Sequence, residues 1–176
     1  SSSGIDDLDG IELLENLRTL DLASNVISDI GPLERLNKLE FLSLYNNQVS
    51  DIAPLIPMDD LKTLELSKNR ITDSGPLVAL TSLGHLGISN NQISDLTPLS
   101  SLTNLNVLDL YANNVTDISP LSSLINLIVL RSHNNSISGI TPFNALTSLT
   151  SLFIANNKIT DYSPLESLDG LRTLRR

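Results

Sequence analysis

Residues 17–38 read Leu17-Arg18-Thr19-Leu20-Asp21-Leu22-Ala23-Ser24-Asn25-Val26-Ile27-Ser28-Asp29-Ile30-Gly31-Pro32-Leu33-Glu34-Arg35-Leu36-Asn37-Lys38. This stretch returns, altered in detail, at every step of 22 residues. Leu17 is followed by Leu39, Leu61, Leu83, Leu105, Leu127, Leu149 and Leu171, and Leu20 by Leu42, Leu64, Leu86, Leu108, Leu130, Leu152 and Leu174. Asn25, Asn47, Asn69, Asn91, Asn113, Asn135 and Asn157 keep the same step, as do Pro32, Pro54, Pro76, Pro98, Pro120, Pro142 and Pro164. A fixed period of this length marks a stacked repeat architecture. Each repeat touches only its neighbours, so the chain forms an elongated surface instead of a closed pocket. Binding is therefore the expected class of activity, and catalysis would need evidence of its own.

Within the unit, apolar residues fall at Leu17, Leu20, Leu22, Ile27, Ile30, Leu33 and Leu36. The spacing of two from Leu20 to Leu22 predicts extended chain, with Thr19, Asp21 and Ala23 on the opposite side. The remaining apolar positions fit neither a strand nor a helix period, but they fit a closed coil in which all seven point inward. Twenty-two residues hold a strand, two turns and a return, which leaves no room for a crossover helix. A single 3₁₀ turn or extended chain is expected near Pro32 to Leu36. Pro32 is harmless there, away from the hydrogen-bonded ladder, and it biases the residue before it away from helix.

Where the chain leaves the strand, its backbone groups would be buried without partners. A side-chain amide both donates and accepts, so stacked Asn25 equivalents can serve their own turn and the neighbouring one, as aspartate could not. Asp29, Asp51, Asp73, Asp95, Asp117 and Asp161 form another column, broken by Gly139. Aligned carboxylates can suggest a metal, but an aspartate just before a turn caps local N–H groups; the expectation is capping, with no metal and no cofactor.

The string Leu17-x-x-Leu20-x-Leu22-x-x-Asn25-x-Ile27-x-Asp29-Ile30-x-Pro32-Leu33 closely resembles the leucine-rich repeat. Its 22-residue length and Asp-Ile-x-Pro-Leu ending are similar to the bacterial internalin family, over essentially residues 3–176. The resemblance implies a right-handed, curved α/β-type repeat solenoid. A parallel sheet would line its concave face, with 3₁₀ or extended chain on the convex side. It also implies display on the bacterial surface or secretion, and binding of a host protein through the concave sheet. The related intracellular phosphatase-regulating repeats share the length but usually lack the regular proline, which keeps a cytoplasmic scaffold as the alternative.

One domain is expected over residues 5–176, with seven full repeats from Leu17, partial repeats at both ends and no polar caps; Ser1 to Gly4 read as a cloning remnant. Back-projecting the frame puts Ile5, Leu8, Ile11 and Leu14 inward. There is no cysteine, hence no disulfide or thiolate site, and no stretch approaches the length of an apolar membrane span. A net charge of −9 without a basic stripe argues against nucleic acid and weakly for a basic partner.

The outward strand positions run in three columns. The first is Thr19, Phe41, Thr63, His85, Val107, Val129, Ser151; the second is Asp21, Ser43, Glu65, Gly87, Asp109, Arg131, Phe153; the third is Ala23, Tyr45, Ser67, Ser89, Tyr111, His133, Ala155. These 21 positions hold six of the chain's eight aromatic and histidine residues, against about one by chance. Strand propensity draws aromatics as well, but it accounts less readily for His85 and His133. Exposed aromatics are the usual anchors of recognition surfaces.

The candidate partner-binding residues are therefore Phe41, Tyr45, Glu65, His85, Val107, Asp109, Tyr111, Val129, Arg131, His133 and Phe153. With strands roughly 4.8 Å apart, Tyr111 lies beside His133, Asp109 beside Arg131, and Arg131 beside Phe153. Phe41 and Tyr45 form a second patch roughly 14 Å away. Asp109 and Arg131 read equally as an exposed ion pair or as a hot spot centred on the arginine. In the same coil Ser132 stands at an inward leucine position, and Phe143 replaces a leucine.

The reading is a non-catalytic module that binds another protein. A carbohydrate surface built on Tyr45 and Tyr111 is a further alternative. Two histidines in different columns, with no nucleophile or metal spacing nearby, fall short of a catalytic site. The oligomeric state is not legible, and the tripeptides at Asn114 and Asn134 that fit a glycosylation pattern carry no weight.

Overall fold

Three residues in each repeat are extended, because one inward leucine between two outward neighbours is all that 22 residues can spare for a strand. The computed structural model describes residues 4–176; Ser1–Ser3, most of the presumed remnant, lie outside them. The strands are β1 (Thr19–Asp21), β2 (Phe41–Ser43), β3 (Thr63–Glu65), β4 (His85–Gly87), β5 (Val107–Asp109), β6 (Val129–Arg131), β7 (Ser151–Phe153) and β8 (Thr173–Arg175). They form one eight-stranded parallel sheet in sequence order. Every pairing is in register at the 22-residue step, as in Leu64 beside Leu86 and Asp109 beside Arg131. The hydrogen bonds continue past each strand, from Leu22 N–H to Ser43 C=O and from Ser24 N–H to Tyr45 C=O, so the third outward column is tied to the sheet as well.

Each return to the next strand is right-handed, as parallel crossovers are, and carries one 3₁₀ turn, such as Gly31–Arg35, Gly75–Ala79 or Ser119–Ser123. No α-helix occurs among the described residues. The residue before each proline opens the turn; it does not stand outside it, because the turn is closed by Leu33 N–H bonding to Ile30 C=O, with Gly31 enclosed. The proline bias acts against a continuing α-helix, and a single 3₁₀ turn escapes it.

All six column aspartates cap these turns. Each donates nothing and accepts the N–H two residues on, at 2.7–2.9 Å: Gly31 to Asp29, Ala53 to Asp51, Gly75 to Asp73, Thr97 to Asp95, Ser119 to Asp117 and Ser163 to Asp161. The hydrogen bonds hold the carboxyls of Asp95, Asp117 and Asp161 below the usual aspartate range.

The interior is a single leucine and isoleucine column, fully buried from Ile27 to Leu152 in almost every inward position. The first coil departs from expectation. Leu8 is buried, but Ile5 is 36% and Leu14 53% exposed. No described strand precedes β1, so nothing in the described chain covers that side of the coil.

The asparagine side chains knit the coils at the strand exits. Asn113 Nδ2 donates to Leu110 C=O of its own repeat at 3.1 Å and to Ile88 C=O of the preceding one at 2.9 Å, while its Oδ1 accepts Ile93 N–H at 3.0 Å. The pattern repeats at Asn47, Asn69, Asn91, Asn135 and Asn157. A second backbone ladder runs beside it, through Gln48 N–H to Ile27 C=O, Arg70 to Val49, Gln92 to Ile71 and onward. Just before each asparagine, Ser24, Asn46, Lys68, Asn90, Ala112, Asn134 and Asn156 adopt positive φ between 51° and 59°. Asparagine tolerates that left-handed conformation, and it fills four of the seven positions.

Candidate functional site

The parallel register places residues 22 apart side by side on one face, so the chemistry of the concave surface is set by the three outward columns. Tyr111 and His133 stack with ring centroids 4.3 Å apart and planes 19° from parallel; His133 and Phe153 lie 6.5 Å apart, tilted by 47°. All three are part-exposed, as are Val107 and Val129, which pair with each other in the first column. Tyr111, His133 and Phe153 thus form one aromatic patch, with the valine pair on the far side of Asp109 and Arg131.

Asp109 and Arg131 are neighbours in register but form no ion pair. The ion pairs of permanently charged groups among the described residues are Arg18–Glu40 and Lys62–Glu40. Asp109 turns along its own chain instead, where its Oδ1 accepts Tyr111 N–H at 3.0 Å. Burial pushes its carboxyl above the usual aspartate range, against the pull of that hydrogen bond and of Arg131 and His133. Arg131 leans the other way, its Cζ 5.6 Å from the Phe153 ring centre. Burial also lowers His133 below the ordinary histidine value, with Arg131 adding to the effect and Asp109 opposing it. The imidazole stacks on Tyr111 as an aromatic ring.

Arg175 reaches Phe153 from the following strand, its Cζ 5.8 Å from the ring centre. Arg131, His133, Phe153, Ala155 and Arg175 line a hollow of about 390 Å³. Arg175 occupies the second outward column one step beyond Phe153, and extending that column by one repeat would have found it.

Glu65 and His85 form a separate pair at 2.6 Å across β3 and β4. Their approach needs Gly87: a Cβ there would lie 2.0 Å from the Glu65 carboxylate. Glycine in the column is thus the space that Glu65 occupies, a role invisible in the residue itself. Phe41 and Tyr45 lie apart from the main patch, with Lys68 Nζ 5.1 Å over the Tyr45 ring. Between Tyr45 and Tyr111 the third column carries only Ser67 and Ser89, both buried and joined by Ser89 N–H donating to Ser67 Oγ at 3.1 Å. The two patches are separated by this low floor.

Beneath the main patch, Ser132 is fully buried and its hydroxyl has no partner. Ser74, a second serine in the core, donates to Asp95 C=O at 2.7 Å. Nδ1 of His133 is likewise buried without a partner. No group of three or more histidine, cysteine or acidic residues is placed to hold a metal among the described residues, and no described helix is long and apolar enough to cross a membrane.

The family model described as Leucine Rich repeats (2 copies) matches residues 15–57, 59–101, 81–123 and 125–167. Among solved structures, the chain is similar to an internalin of Listeria monocytogenes, inlF, with 38% identity and a TM-score of 0.95 over 97% of the chain. It is similar to internalin C2 of the same organism, inlC2, with 36% identity and a TM-score of 0.94 over 98%. A leucine-rich repeat protein of Leptospira interrogans shares the fold at 24% identity and a TM-score of 0.74, over 94% of this chain and 50% of that one. The chain spans 51% of the length of inlF and 76% of that of inlC2. No curated protein matches it.

Proposed function

Because the chain belongs to the internalin-like leucine-rich repeat family, we propose that it is a non-catalytic module that binds another protein on its concave sheet, centred on Tyr111, His133 and Phe153. The observation that carries this reading is the ring stack itself. Three aromatic side chains stand part-exposed on a rigid in-register sheet, where they gain little for the fold and offer anchoring area to a partner. Val107 and Val129 extend the anchor, and Phe41, Tyr45, Glu65 and His85 supply a second contact area towards the amino-terminal half. The asparagine ladder has a structural role, holding the strand exits so that the columns stay aligned. No cofactor enters this reading.

The proposed setting is the bacterial surface or secretion, with a host protein as partner. An array of host-cell ectodomains tests the binding. Tyr111→Ala with Phe153→Ala should abolish a signal given by the native chain. Surface substitutions away from caps and core cost within about 0.5 kcal/mol each, so the melting temperature of the double variant should fall by no more than about 4 °C. An ectodomain bound equally by both chains would place the working surface elsewhere. Fractionating cells that express the complete open reading frame tests the location.

A further inference from the structure

We propose that the hollow beside Phe153 receives an aspartate or glutamate side chain from an acidic segment of the partner protein, gripped between Arg131 and Arg175. This rests on the concave face being the binding surface and adds the chemistry of what it binds.

The charge on that face is segregated along one column. Asp21, Glu65 and Asp109 fill its amino-terminal part; Arg131 and Arg175 flank Phe153 at the other end. Neither arginine belongs to any ion pair among the described residues. The neighbouring carboxylate, Asp109, accepts Tyr111 N–H through Oδ1 and forms no ion pair with Arg131. Two like charges are thus held on either side of a single ring, at 5.6 and 5.8 Å. A guanidinium set against an aromatic ring keeps its forked N–H donors for a carboxylate, which it can bind in a bidentate way.

The hollow between them, about 390 Å³, has room for a side chain. Its wall of His133, Phe153 and Ala155 offers apolar contact to the methylene stem of the entering side chain. The net charge of −9 points towards a basic partner, but much of it sits on the convex capping column. The local field at the hollow has the opposite sign, and local charge decides what docks there.

The test pans a random-peptide display library on the whole chain and measures selected synthetic peptides by fluorescence anisotropy. Selected peptides should share an Asp or Glu, and its replacement by Asn or Gln should weaken binding about tenfold. Arg131→Gln and Arg175→Gln should each weaken the acidic peptide by a similar factor. In the double arginine variant, acidic and amide peptides should bind alike, which isolates the pairwise interaction.

Peptides that are lost on Tyr111→Ala with Phe153→Ala, yet lack an acid and ignore the arginine variants, would overturn this proposal and leave the protein-binding face standing. Peptides indifferent to all of these variants would overturn both. Selection of no peptide, or arginine-dependent binding of a sialylated oligosaccharide with no acidic peptide selected, would also overturn it.

Discussion

Replacing Asn113 by alanine removes three hydrogen bonds at once, and their partners decide the cost. Ile93 N–H has no other acceptor, so it becomes a buried orphan costing about 1–3 kcal/mol. Ile88 C=O and Leu110 C=O each accept two side-chain donors, and each keeps one, from Asn91 and Asn135 respectively. Losing the other costs about 0.5–1.5 kcal/mol apiece. The sum lies between roughly 2 and 6 kcal/mol, centred near 4. Asn25 is the control. Its Oδ1 serves Ile5 N–H in an exposed setting, where water can replace it, and Leu22 C=O retains Asn47. Asn25→Ala should cost about 1 kcal/mol. Urea unfolding reads both as midpoint shifts multiplied by the slope; two variants within about 1 kcal/mol of each other would refute the lone-pair accounting. Asn113→Asp adds a pH signature. The new carboxylate would keep Ile93 N–H but face two carbonyl oxygens, which raises its folded pKa above the unfolded value. Relative to the native chain, the loss in Asn113→Asp should therefore be smallest at or below the unfolded pKa and grow as pH rises through the folded value.

The two core serines should respond in opposite senses: Ser132→Ala removes an unpartnered hydroxyl and gains about 1 kcal/mol, whereas Ser74→Ala breaks a bond to Asp95 C=O and loses about 1 kcal/mol, both read by urea unfolding. Ala112 holds a left-handed φ of 52° where four equivalents are asparagine; Ala112→Asn should stabilise by about 0.5–1 kcal/mol, and no rise in the melting temperature would contradict the strain argument. In the native chain Asp95, Asp117, Asp161 and Glu40 have folded pKa values below their unfolded ones, so their contribution is present above the unfolded pKa and lost as pH falls through the folded values. Stability should decline below about pH 4, and Asp117→Asn, which still caps, should decline less steeply in acid; an unchanged acid profile would remove that carboxylate from the account.

The 22-residue step of Leu17, Leu20 and Leu22 was enough to read the coil, the strand and the parallel stacking, because only a closed turn buries all seven apolar positions together. The same step aligned Tyr111 with His133 and the Asp29 column with its turns, since in-register coils put like positions side by side. The left-handed column was not read, because Ser24, Lys68 and Ala112 interrupt its four asparagines. Other features escaped. Gly87 owes its role to the Glu65 carboxylate resting over it, and Ile5 and Leu14 read as inward by periodicity but lie exposed. Asp109 and Arg131 show the limit most clearly: adjacency was readable, but one turned to Tyr111 N–H and the other to Phe153.

Sequence by itself determined which residues share a column, because that follows from backbone geometry repeated at a fixed interval and enforced by the burial of a whole core. Only the tertiary structure decided where the long polar side chains on that surface point. Each chooses among partners that differ by about 1 kcal/mol or less, a margin no periodic pattern records.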